Sequence, residues 1–114
     1  MKIEEVLAGL TNDLVLQRLR RFFVTKGLPD GKYLLECSEM NATKSGHRGR
    51  IDMVLREESV RVIVIFRCGQ NLSSDLSLEI SNSRDAVEKD GEIVYRFSGT
   101  LRPNHASPEV RVEP

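Results

Sequence analysis

"VRVIVIFRC", from Val60 to Cys68, is the stretch on which the fold turns. Its middle is apolar at both parities, with Val62, Val64 and Phe66 on one side and Ile63 and Ile65 on the other. A strand with one solvated face alternates apolar with polar residues, whereas a strand covered on both faces does not. Val60–Cys68 therefore reads as a central strand, with its Ile63/Ile65 face covered as well as its Val62/Val64/Phe66 face.

Its neighbours on the N-terminal side keep a period of two. "RIDMVL" (50–55) sets Ile51, Met53 and Leu55 against Asp52 and Val54, and "YLLEC" (33–37) sets Tyr33, Leu35 and Cys37 against Leu34 and Glu36. "REES" (56–59) is short and polar, as a hairpin connection should be. On the C-terminal side, "LSLEI" (76–80) alternates like a strand, and "SRDAVEKDG" (83–91) reads as a short helix capped by Ser83 and stopped by Gly91. A helix over the whole of 72–90 is the alternative, weakened by its serines and asparagines. "EIVYRFSGTL" (92–101) is a strand with Ile93, Tyr95 and Phe97 on one face. The tail holds two internal prolines and "VRV" (110–112), which suits a short edge strand.

The chain opens differently. Ile3, Val6, Leu7 and Leu10 follow the spacing of one helical face, and Glu4 and Glu5 suit the first turn. Thr11, Asn12 and Asp13 are helix-capping types, and the apolar stripe shifts register after them, which predicts a kink or two abutting helices. Val15, Leu19, Phe22 and Phe23 continue the apolar face until Gly27 and Pro29 end it. The sum is an α+β domain spanning 1–114. Its N-terminal helix packs on a mainly antiparallel sheet of four to five strands, with a second helix around 72–90 as an option.

Composition limits function. Lys+Arg and Asp+Glu both number 17, so the net charge is zero and any hold on nucleic acid must come from a local patch. No apolar run approaches the ~20 residues that span a bilayer. "MKIEEVLAGL" carries acids where a signal peptide carries basic residues, and the expected location is cytoplasmic, with no membrane partner. Cys37 and Cys68 both fall in strand-like segments, where free thiols are the simpler reading and a disulfide between neighbouring strands the other. With only His47 and His105 beside them they make no zinc pattern. No metal site, cofactor or complete catalytic set is indicated.

The local patch is "KSGHRGR" (44–50), a glycine-punctuated basic stretch leading into the strand that carries Asp52. Read as a loop, it offers accessible amides and guanidinium groups to phosphates through Lys44, His47, Arg48 and Arg50, joined by Arg67 from the central strand. The alternative is a solvated loop with no ligand. Asp52 likewise has two readings, a structural ion pair with an arginine such as Arg61 or Arg67, or a functional carboxylate.

"GRIDMVL" (49–55) and "VIVIFRCG" (62–69), in the order helix, three strands, a possible helix, strand, resemble the PD-(D/E)XK nuclease superfamily. The resemblance covers 2–101, with its specific content in 46–69. It implies a metal-dependent nuclease fold with Asp52 as the first acid. The acid-x-Lys triplet that should follow is replaced by Ile65, Phe66 and Arg67. Magnesium wants more than one protein carboxylate, and arginine does not readily transfer a proton, so the resemblance implies a degenerate domain without catalysis.

Three expectations follow. The first is a non-catalytic nucleic-acid-associated module that uses Lys44–Arg50 and Arg67, with the helical Arg18, Arg20 and Arg21 as an optional extension. The second is a protein-interaction or self-associating adaptor. The third is a nuclease with a rearranged site built from Asp52 and Glu36, which requires both carboxylates on one face of the sheet.

Overall fold

Two helices come first because the sequence stops and restarts between them. In the computed structural model, which describes residues 3–70, 76–81, 85–103 and 109–112, α1 runs Ile3–Leu10 and α2 runs Asp13–Thr25. Asn12 caps α2, its Oδ1 accepting from the Val15 amide at 3.0 Å, and its Nδ2 donates to the Gly9 carbonyl at 2.7 Å. The far end of α2 closes with Gly27 at φ 87°. The Gly27 and Leu28 amides reach back to the Val24 and Phe23 carbonyls at 3.0 Å each, so orphan carbonyls are satisfied and buried Leu28 seals the turn.

The described residues then form seven strands in one sheet: β1 (Leu34–Thr43), β2 (Gly46–Leu55), β3 (Val60–Cys68), β4 (Leu76–Ile80), β5 (Asp85–Lys89), β6 (Glu92–Pro103) and β7 (Glu109–Val112). The order is β1-β2-β3-β6-β4-β7, with β5 also against β6. Most pairs are antiparallel; β3 with β6 and β4 with β7 are parallel. β4 and β5 lie end to end along one side of β6, against Gly99–Pro103 and Glu92–Arg96 respectively. The connection from β2 to β3 is the 3-10 turn Arg56–Glu58, closed by Ser59 at φ 51°.

The sheet thus exceeds the expected four to five strands, and residues 76–80 and 85–89 are strand where a helix around 72–90 was an option. The reason lies at Asp90–Gly91. Both have positive φ (53° and 81°) and form a two-residue loop between paired Lys89 and Glu92, so Gly91 serves a hairpin instead of stopping a helix.

Parity divides the sheet into two faces. One, carrying Ile51, Met53, Leu55, Val60, Val62, Val64, Phe66, Leu78, Ile80, Phe97 and Leu101, is buried against the helices. Phe97 anchors this interface, 5.1 Å from the Phe22 ring edge-on and 5.7 Å from the Phe23 ring in a stack. β3 is central, as its composition predicts. Its second face is covered differently from the expectation, since no packed layer lies over it among the described residues. Ile63 is only 5% exposed and lines a groove with Arg50, Arg61, Lys89 and Arg96, long side chains that bury apolar stems while keeping their charges in water. This second, open face carries the candidate site.

Candidate functional site

Basic residues 44–50 do not form a loop. Only Lys44 and Ser45 make the turn between paired Thr43 and Gly46, and His47, Arg48 and Arg50 already belong to β2. The two glycines explain why strand wins. A Cβ on Gly46 would sit 2.2 Å from the Cys68 carbonyl oxygen, and one on Gly49 would sit 2.2 Å from Phe66 Cζ. They are places of close approach within a sheet, and the turn is tighter than a flexible-loop reading allows.

Once 46–50 is strand, parity sorts the predicted residues. Arg48 and Arg50 share the open face with Asp52, while His47 is directed to the other side, opposite Cys68, with Nδ1 3.3 Å from the Gly69 carbonyl oxygen. Across the open face one row reads Asn41, Arg48, Arg67, Thr100 and Glu79, each paired with the next on the adjacent strand. Arg48 and Arg67 therefore lie abreast. Both are exposed, and among the described residues neither meets a carboxylate. Glu79, the acid of that row, is taken by Arg102 at 2.9 Å. Like charges directly opposite each other weaken a sheet, so this pair is not there for the fold's stability. The pair itself, with Thr43, Ser45, His47 and Cys68, lines a shallow cavity of about 230 Å³ at the strand ends, so His47 meets the two arginines there despite its opposite parity. Lys44 is exposed at the turn tip, close in sequence but outside that row.

Arg50 is committed elsewhere. Its Nε and Nη2 donate to Asp52 Oδ1 and Oδ2 at 2.5 and 2.7 Å, a two-pronged pair between residues i and i+2 of one strand. Asp52 is buried, with its side chain 5% exposed, while the Arg50 side chain is 43% exposed. Arg61 stands on the other side, Nη1 3.7 Å from Asp52 Oδ2 and 2.8 Å from Glu36 Oε1, with Nε donating to Glu92 Oε1 at 3.1 Å. The hydrogen bond to Asp52 raises the Arg50 pKa above its ordinary value, and the bond to Glu36 does the same for Arg61. Both guanidinium groups are fixed cations.

Asp52 is thus an ion-pair member, as one reading expected, but its partners are Arg50 and Arg61 and not Arg67. Glu36 and Asp52 do share a face, as the rearranged nuclease site requires. Between them, however, sits the Arg61 guanidinium, which satisfies the carboxylates that a divalent ion would need. Among the described residues no group of three or more His, Cys, Asp or Glu is arranged to hold a metal.

The remaining candidates separate from this face. Arg20 pairs with Asp30 at 3.1 Å in the helical layer, so the α2 arginines and the Arg48/Arg67 pair are not one surface. Cys37 and Cys68 are free thiols on β1 and β3, separated by β2, and burial pushes the Cys68 thiol up. His105 lies outside the described residues. Arg61 and Glu92, central to the charge network, were not singled out by sequence as a pair, being 31 positions apart. No described helix is long and apolar enough to cross a membrane. Comparison with protein-family models, curated proteins and solved structures finds no match for this chain.

What the open face can do is present fixed positive charge. Two guanidinium groups without a carboxylate partner among the described residues, with Asn41, Thr43 and Ser45 beside them and Glu39 further along the same groove, can take a dianionic or diester oxygen cluster.

Proposed function

We propose that this domain is a non-catalytic nucleic-acid-associated module, a degenerate nuclease-like domain that contacts phosphates through the β2–β3 strand ends. The observation that carries this reading is the pair Arg48 and Arg67, abreast, exposed and without an acidic partner among the described residues. In a chain of zero net charge, such a pair concentrates positive potential locally. Arg61 seated among Glu36, Asp52 and Glu92 supports the non-catalytic part, since it takes the carboxylates that metal chemistry would use.

The test is an amide-resolved NMR titration with a DNA duplex and a single-stranded RNA at low and moderate salt. Shifts are expected around Thr43–Gly49 and Arg67, fading as salt rises. Shifts that ignore salt, or none at all, would remove the phosphate reading.

A second reading has its own observation. β1 is an edge strand of 10 residues, and Leu34 and Leu35 on it are 43% and 38% exposed. An uncovered edge with apolar side chains can add a strand from another chain. Sedimentation over a concentration series separates the readings: a mass that doubles with concentration and is abolished by a proline at Ser38 supports association through this edge.

A further inference from the structure

All six aromatic rings of the chain are spent on one side of the sheet. The sequence has four Phe, two Tyr and no Trp. Phe22, Phe23, Phe66 and Phe97 are buried in the helix–sheet core. Tyr33 joins them, its ring 5.5 Å from Phe23 and its hydroxyl donating to the Pro29 carbonyl at 2.6 Å. Tyr95 pairs with Val62 on the same buried parity and packs against that core. The open face around Arg48 and Arg67 therefore offers a base no phenyl, phenol or indole ring; the ring beside the arginine pair is the His47 imidazole, which lines the cavity at the strand ends.

That distribution separates two forms of nucleic acid. Single strands are held by stacking bases on aromatic side chains, worth ~1–3 kcal/mol per base, and this offsets the entropy of ordering a flexible chain. Here that gain is limited to a single imidazole, too little to hold a strand of several bases. A duplex arrives already ordered, and presents its phosphates to a rigid surface without further ordering. Asn41, Thr43, Ser45 and Thr100 around the arginine pair are groups that hydrogen-bond phosphate oxygens. Sequence reading requires an element that enters a groove, and neither arginine stands on one. Arg48 lies within β2, whose partners β1 and β3 flank it on both sides up to His47.

We infer that the open face binds the phosphate backbone of double-stranded nucleic acid through Arg48 and Arg67 and does not read its bases. This rests on the phosphate-contact reading of the same face. Because Asp52 occupies Arg50, two phosphates are neutralised, and the affinity for duplex falls with a slope of about −2 in log K against log salt.

The test is fluorescence anisotropy with labelled duplexes of two unrelated sequences and the matching single strands, over a salt series, using the full chain and the R48A/R67A variant. Both arginines are exposed, so the variant keeps its fold, which a thermal melt verifies. The inference predicts that both duplexes bind alike and several-fold tighter than either single strand, and that R48A/R67A abolishes this binding. Single strands bound as tightly as duplex, with the same loss in R48A/R67A, would overturn the duplex inference and leave the phosphate reading standing. A tenfold preference for one duplex would overturn sequence independence alone. Absence of binding at low salt, or binding untouched in R48A/R67A, would overturn both.

Discussion

Removing one partner of the Arg50–Asp52 pair should cost different amounts according to which partner goes. Breaking a buried ion pair typically costs about 3–5 kcal/mol, because the remaining charge is stranded away from water. Here the two partners are unequally buried: the Asp52 side chain is 5% exposed and that of Arg50 is 43% exposed. In Arg50→Met the carboxylate stays buried, with Arg61 Nη1 at 3.7 Å as its remaining cation, and Arg61 is already shared with Glu36 and Glu92. The loss should lie near the lower end of that range, about 3 kcal/mol. In Asp52→Asn the freed guanidinium can turn to solvent, and the cost falls to roughly 1–1.5 kcal/mol for the lost charged hydrogen bonds. The double variant should then be more stable than Arg50→Met alone, since it removes the stranded charge. Urea denaturation with unchanged m-values measures all three. Equal losses, the reverse order, or both losses within about 0.5 kcal/mol of the parent protein would refute the reasoning, that figure being the scatter of ordinary surface substitutions.

Gly49→Ala should destabilise by about 1–3 kcal/mol in the same assay, because its Cβ would meet Phe66 Cζ at 2.2 Å and Cε2 at 2.3 Å in a packed interior. Asn12→Ala should cost about 1 kcal/mol through loss of the α2 cap, and Asn12→Asp should retain most of it, as thermal denaturation will show. The Tyr33 phenol is pushed up from 10.0 to about 12, chiefly by burial and then by the charges of Tyr95, Asp30 and Glu58. Because the folded state holds the neutral form, the stability this contributes is complete below pH 10 and is lost as pH rises through 12. Phenolate absorbance should show a late ionisation, and Tyr33→Phe should delete that step.

The helices and the central strand were legible because periodicity there coincides with burial. Val15, Leu19, Phe22 and Phe23 follow helical spacing and are all buried, and Asn12 caps where the capping types cluster. β5 departs from the helix expected over 83–91 for a specific reason, while β6 is the strand its alternation predicts. "DAVEK" has low strand propensity and Val87 is 57% exposed, so the segment is strand only because β6 offers it a partner. The Asp-Gly hairpin signal is nonetheless present at Asp90–Gly91, where the same glycine also suits a helix stop. At the site, the residue types were readable while the grouping was not. Glycines in "KSGHRGR" suggest a loop, and only the Phe66 ring lying over Gly49 and the Cys68 carbonyl beside Gly46 turn that stretch into strand. That change gives His47 the opposite parity, where it lines only the strand-end cavity, and sets Arg48 against Arg67. Extending the alternation of "RIDMVL" two residues upstream places Arg48, Arg50 and Asp52 on one side.

The parallel pairing of β3 with β6 joins residues about thirty positions apart, Val60 with Ile93 and Arg67 with Thr100. Everything before it, β1 through β3, can zip by neighbouring hairpins, and so can β5 with β6. The seam between the two is different, because its contacts reward the chain only after a long loop has closed. It also completes the core, since Phe97 reaches Phe22 and Phe23 only when the seam has formed. Folding should therefore be limited by the meeting of two preformed hairpin units. Truncating Phe97 should speed unfolding more than it slows that encounter if the ring docks late, and substitutions along Val62 and Val64 should slow it directly. A mixed sheet of this kind trades folding speed for a core that neither half possesses alone.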